Sequence, residues 1–206
     1  MGLATFIGGI HPFEGKELSE DKPIKYLEPL QGEVMVYPLS QHIGAPAKPL
    51  VAKGDHVLKG QIIAEAGGFI SANVLSSVSG TVKGIESKLV ANGAMVQSIL
   101  VENDGEEEAI EGFGTDRDAS KLSKEEIRQI VKDAGIVGLG GAGFPTHVKL
   151  SPKEPDKIDH ILVNGAECEP YITSDYRRMM EEPESIVGGL EVILKAFPKA
   201  VGCICI

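Results

Sequence analysis

The segment richest in chemistry is Gly138-Leu-Gly-Gly-Ala-Gly-Phe-Pro-Thr-His-Val-Lys149. Its clustered glycines let the backbone come close to a ligand, and successive unhindered N–H groups form an anion-binding concavity. Gly138, Gly140 and Gly143 satisfy a GxGxxG spacing, with Gly141 between them. Pro145 is placed to open a helix whose N-terminus would favour phosphate, and Lys149 would reach the same anion from that helix. The spacing lacks the context of a dinucleotide fingerprint, because a helix predicted to end at Gly135 leaves only Ile136 and Val137 for the preceding strand. A glycine-rich turn packed against a sheet has the same composition, so the residues alone leave both readings open.

A second segment, Val163-Asn-Gly-Ala-Glu-Cys-Glu-Pro170, follows a predicted strand. Ligands of open α/β sheets bind at the carboxyl ends of strands, which places Asn164 and Glu167 well. An Asn amide can read the edge of a heteroaromatic ring, and a carboxylate can accept from ribityl or ribose hydroxyls. Cys168 has no His or second Cys near it in sequence and is expected to be a small buried residue. His11, His42, His56, His147 and His160 are scattered without ligand spacing, which predicts packing or surface roles rather than a metal site. Three cysteines without CxxC exclude a disulfide framework and a four-ligand metal set, and fit a reducing compartment.

The elements that must position these residues differ between the two halves. Glu33–Pro38, Gln61–Ala66, Gly80–Ile85 and Ser98–Val101 are short, rich in Val and Ile, and punctuated by Gly or Pro, which predicts a small barrel or sandwich. Glu102 to Asp118 holds eight acidic residues and one Arg, and reads as an exposed linker. Beyond it, Ser123 and Glu126 form a capping box, and Ile127, Ile130, Val131 and Ala134 mark one face of a helix. His160–Val163 and Ala200–Ile206 read as buried strands. Between them lies a helix over Glu184–Phe197, with Ile186, Leu190, Ile193, Leu194 and Phe197 inward. Strand, helix, strand predicts a parallel sheet.

Charge is divided as unevenly as structure. Met1 to Val101 carries 8 basic and 9 acidic residues, and the remainder 12 and 21, for a net −10. An acidic chain with no basic stripe gains nothing from counterion release, which excludes nucleic acid as the expected partner. No apolar run approaches the length of a membrane span, and the opening residues lack a basic region of the secretory kind. The expected organisation is all-β over residues 1–101, a linker over 102–118, and the first part of an α/β domain over 119–206. Its last strand reaches Ile206, and two strands make an incomplete α/β domain, so a longer subunit is expected.

Two further signatures bear on the β half. Gly54-Asp-His-Val-Leu-Lys-Gly-Gln61 and Ser76-Ser-Val-Ser-Gly-Thr-Val82 resemble the turn-and-strand motifs of lipoyl- and biotinyl-type barrel-sandwich domains. Those carriers present a modifiable lysine between the two motifs. Residues 62–75 contain none, so a carrier role is not expected and the module reads as structural or as an interaction surface.

With Gly8-Gly-Ile-His-Pro12 and Pro38-Leu-Ser-Gln-His-Ile-Gly-Ala-Pro-Ala-Lys-Pro49, the two site segments resemble the RnfC family, the peripheral NADH-facing subunits of the Rnf electron-transport complex. The second half is similar to the FMN-carrying, NADH-binding subunit of respiratory complex I. The resemblance implies noncovalent FMN and NAD(H), with electrons passing to or from ferredoxin and ions moving across the membrane. It implies other Rnf subunits as partners, both membrane and ferredoxin-type, and a peripheral place on the cytoplasmic side of the cell membrane. It aligns Gly138, Gly140, Gly141, Gly143 and Lys149 with the FMN-phosphate loop, Phe144 with an aromatic packing on the dinucleotide, and Asn164 and Glu167 with flavin contacts. Ala166 stands where that family pattern has Asp, which removes one polar contact. The [4Fe–4S] clusters of the family belong to segments other than these, and the resemblance assigns no catalytic side chain. It implies weak FMN retention and no NADH oxidation by these 206 residues alone. A non-catalytic docking module of the same complex is the competing reading.

Overall fold

The computed structural model describes residues 12–139 and 141–206. The β half closes as two sheets over one core. β1 (Val34–Pro38), β7 (Met95–Asn103), β6 (Gly80–Leu89) and β3 (His56–Val57) pair antiparallel in that spatial order. β2 (Lys48–Pro49), β4 (Ile62–Glu65) and β5 (Val74–Leu75) form the second sheet. Tyr37, Val57, Ile63, Val74, Val82, Ile99 and Val101 pack between them, so the barrel-sandwich expectation holds.

The two signatures of this module are turn devices. Gly54 takes φ 97 and donates its N–H to Val82 O, while Asp55 accepts from Ala52 N–H and Gln61 accepts from Leu58 N–H. Ser79 donates to Asp104, and a Cβ at Gly80 would fall inside contact distance of the Glu102 carbonyl oxygen. The spacing therefore serves chain reversal and close strand approach. β6 and β7 extend beyond their predicted bounds into a long hairpin, whose tip is Val90–Ala94.

The acidic segment is exposed but does not run free. Lys59 N–H donates to Glu108 O and Ile110 N–H to Lys59 O, and Asp104 accepts from Ser79 and meets His56. These contacts hold residues 104–110 along the β module.

α1 (Lys124–Asp133) begins with the predicted reciprocal Ser123–Glu126 capping box. Its Ile127 is buried and Ile130 and Val131 are half-buried. Ala134 is exposed, a correction: the helix stops at Asp133, and Ala134 caps it at the rim of a cavity. β8 (His160–Asn164) and β9 (Val201–Cys205) pair parallel, bridged by α3 (Ser174–Glu181) and α4 (Pro183–Ala196). Leu190 and Phe197 are buried and Ile186, Ile193 and Leu194 half-buried, as the helical period requires.

The two strands are not buried on both faces, contrary to expectation. Leu162 is 66% exposed and Val201 59%. A two-stranded sheet is covered by α4 on one face, where Gly202 packs closely on Leu190 and Leu194, and alternate residues point away from that cover. α3 is the element that sequence periodicity missed. Among the described residues no helix is long and apolar enough to cross a membrane.

Candidate functional site

The glycine-rich loop is built by a stop, a ladder and a seat. The stop is Gly135, whose φ of 63 ends α1 and whose missing Cβ lets the chain pass against the Asn73 carbonyl. Asn73 Nδ2 in turn approaches the α1 carbonyls of Lys132 and Asp133 at 3.4 and 3.5 Å. The ladder is Val137 bridged to Pro145. Gly138 N–H donates to Phe144 O at 2.9 Å, and Thr146 N–H donates to Ile136 O at 2.9 Å. The chain between is thereby a closed loop rather than a strand-to-helix crossover.

The seat lies on the β module. Ile43 N–H donates to Ala142 O at 3.1 Å, and a Cβ at Gly143 would meet Gln41 O at 3.0 Å and His42 Cα at 3.1 Å. Gly143 also takes φ 62, so glycine is required there twice over. On its outer side the loop is open: Leu139 is 94% exposed, and a side chain at Gly141 would meet none of the described residues. A cleft of about 530 Å³ is lined by the described residues of the loop, by Ser40–Ile43 and by the hairpin tip at Val90–Asn92. Gly140 lies outside the described residues, as do His11 and most of the Gly8–Pro12 motif.

Lys149 joins this loop. Its Nζ lies 2.8 Å from where a Cβ of Gly138 would sit, so the ammonium fills the space that the glycine leaves. The helix that carries it, α2 (Thr146–Lys149), is a single turn. The expected helix-dipole contribution to anion binding is therefore withdrawn: one turn aligns too few peptides, and the loop amides and Lys149 remain as the candidate donors. Phe144 is half-buried and its carbonyl closes the loop. Burial, helped by the Lys132 charge, holds the neighbouring His147 below the ordinary imidazole range.

The second group sits at the carboxyl end of β8. Asn164 Oδ1 accepts from Ala166 N–H at 3.2 Å, and Gly165 N–H donates to Cys205 O at 2.8 Å. Glu167 Oε1 accepts from Asp175 N–H at 2.6 Å and Tyr176 N–H at 3.1 Å, capping the first turn of α3. Its Oε2 is buried with no partner among the described residues. Partial burial, then the Glu167 charge, raises the Asp175 carboxyl above the usual range. Cys168 is exposed, a correction: it lies in the turn beyond the end of β8 rather than in the core.

A strap that sequence reasoning missed fixes this group from outside. Lys16 Nζ donates to Glu169 O at 2.9 Å and Ile172 O at 2.7 Å, and Ser19 donates to Tyr171 O at 2.8 Å. Tyr171, at φ 65, lays its ring on Gly15, where a Cβ would collide with it. Contacts spanning some 150 residues leave no local periodicity; Thr173-Ser174-Asp175 was the one readable sign of the helix start.

The fold thus gathers Gly138, Gly141, Gly143, Phe144 and Lys149 around one loop, and Asn164 and Glu167 around another. Neither Asn164 nor Glu167 lines the cleft beside the glycine loop. Among the described residues no cluster of three or more metal-ligating side chains occurs. The donor set of the first loop, unhindered amides and one ammonium, fits a phosphate, and the unpartnered Glu167 Oε2 fits a hydroxyl donor.

Comparison with known proteins bears on both halves. Residues 4–106 match the family model described as the RnfC barrel sandwich hybrid domain, and residues 131–206 match the Nuo51 FMN-binding domain. Over 193 residues the chain is 46% identical to the C subunit of the proton-translocating ferredoxin:NAD(+) oxidoreductase complex of Clostridium ljungdahlii, covering 94% of this chain and 42% of that protein. It is 43% identical over 195 residues to the C subunit of the Na(+)-translocating ferredoxin:NAD(+) oxidoreductase complex of Acetobacterium woodii, covering 93% and 43%. The C subunit of the ion-translocating oxidoreductase complex of Haemophilus influenzae (strain PittEE) is 40% identical over 193 residues, covering 93% and 29%. The chain spans less than half the length of each of these curated relatives.

Proposed function

The chain belongs to the RnfC family, and from that premise we propose that it is part of the peripheral subunit through which an ion-translocating complex exchanges electrons between NAD(H) and ferredoxin. The match of residues 131–206 to an FMN-binding domain supports noncovalent FMN as the cofactor on this chain. The observation that carries the placement is the Lys149 ammonium at Gly138 of a loop open on its outer side.

In this reading Gly138, Gly140, Gly141 and Gly143 keep side chains away from the phosphate, and Lys149 neutralises part of its charge. Phe144 packs on the dinucleotide side of the loop. Asn164 at the end of β8 and the free Glu167 Oε2 orient the remainder, with Glu167 held in place by its bonds to α3. Bound FMN supplies the hydride and single-electron chemistry; the side chains bind, orient and exclude water. Iron–sulfur clusters, the membrane and ferredoxin-type subunits, and the cytoplasmic membrane face are expected of the complex as a whole.

The test is FMN titration of the full-length subunit beside Lys149→Ala. Loss of a charge-assisted contact predicts affinity lower by about tenfold. Equal affinity in both proteins would remove Lys149 from the site.

A further inference from the structure

Resting on that reading, we propose that His42, a side chain of the β module, is a positioning residue for the glycine-rich loop of the α/β module. His42 is 8% exposed, and its Nε2 accepts from Ala72 N–H at 3.1 Å. The network assigns the ring proton to Nδ1, which lies 3.1 Å from Ile43 O. Ile43 N–H, on the other side of the same residue, donates to Ala142 O of the loop. One imidazole therefore links the buried segment around Ala72 to the residue that grips the loop.

That buried segment is itself anchored. Ala45 N–H donates to Ile70 O, and Ser71, fully buried, donates to Ala45 O at 2.8 Å and accepts from Gly67 N–H at 2.9 Å. The 41–45 turn is thus stitched to residues 70–72 at two points, and His42 forms the stitch closest to the loop. Gly143 then packs against Gln41 O and His42 Cα with no space for a side chain.

The role is hydrogen bonding rather than charge pairing. Among the described residues, no carboxylate or cation lines either of the two cavities flanking His42, whose titratable lining groups are His42 and Tyr37; the Lys149 ammonium packs at Gly138. What the ring supplies is an acceptor for the N–H of Ala72, a residue only 2% exposed to solvent. A residue from the module without cofactor-binding motifs thereby sets where the cofactor loop lies.

The test uses the full-length subunit with His42→Leu and His42→Gln. Leucine keeps apolar bulk and leaves Ala72 N–H unpaired, whereas glutamine returns an acceptor at similar reach. Two readouts separate the hypotheses: amide exchange of residues 138–144 without cofactor, and FMN titration. In His42→Leu, loop exchange is expected to rise and FMN affinity to fall by about tenfold each, while exchange in β6 and β7 stays unchanged. His42→Gln should restore both to within about threefold. Unchanged loop exchange in His42→Leu, or no rescue by glutamine, overturns the positioning role. If His42→Leu loosens the loop and glutamine restores it while the wild type takes up no FMN, the positioning role stands and the FMN reading fails. Normal FMN binding with wild-type loop exchange in His42→Leu does the reverse, leaving the FMN reading intact and removing His42 from it.

Discussion

Gly138→Ala separates the cofactor role proposed for the glycine loop from its role in folding. Gly138 has no left-handed φ, so alanine suits the backbone. The nearest atom to the new methyl is Lys149 Nζ at 2.8 Å, against an ordinary contact of 3.4–4 Å, and next comes Phe144 O at 3.7 Å. The flexible end of an exposed lysine is therefore the atom that gives way, by roughly 1 Å. Moving an ammonium from about 4 to about 5 Å from a phosphate charge, at an effective dielectric near 20, weakens the attraction by about 0.8 kcal/mol. Solvent screening around an exposed lysine trims this to a two- to threefold loss of affinity. The stability change should stay within about 0.5 kcal/mol, because no buried contact is altered. FMN titration of the full-length variant, paired with its thermal melt, measures both numbers. Wild-type affinity in Gly138→Ala, beside a clear loss in Lys149→Ala, would show that the ammonium does not act from its place at Gly138. A melt lowered by several degrees would show that Gly138 serves the fold instead.

Two further outcomes follow from other parts of the molecule. Gly80→Ala places a methyl against the Glu102 carbonyl between β6 and β7, where only backbone could move; urea denaturation should register a loss of about 3 kcal/mol or more. Asp175→Asn acts through pH. A carboxyl raised by burial and by the Glu167 charge contributes stability in full below its unfolded range, and loses it as pH rises through the raised value. Replacement by Asn should therefore stabilise the protein near pH 7, by about 0.5 kcal/mol or less after solvent screening, and bring no gain near pH 3. Denaturation at both pH values decides this, and an equal gain at both would refute the electrostatic cause.

Local chemistry explains which features were legible in advance. The Ser123–Glu126 box and the inward face of α4 depend on residues within a few positions of one another, so spacing alone carries them, and the GDxVxxGQ turn, equally local, is legible through its resemblance to a known motif. The glycine loop was legible as a composition, and its closure by Gly138 and Phe144 is equally local. Errors arose where an outcome depended on what lies opposite. Leu162 and Val201 have the apolar character of buried strand residues, yet two strands have too few neighbours to cover both faces. Cys168 has the size and character of a core residue and stands exposed because it lies in the turn beyond the end of β8.

By itself, the amino-acid sequence determined a small β barrel or sandwich followed by a parallel βαβ unit, and it singled out the two loops with chemical content. It did so because turns, caps and periodic apolar faces are short-range properties of the chain. Only tertiary structure decided what each candidate residue touches there. Lys149 faces Gly138, Glu167 divides its oxygens between α3 and an unpartnered side, and His42 becomes the seat of a loop 100 residues away. Those placements come from contacts between distant segments, which close packing and the pairing of buried N–H groups select only once both partners are in place.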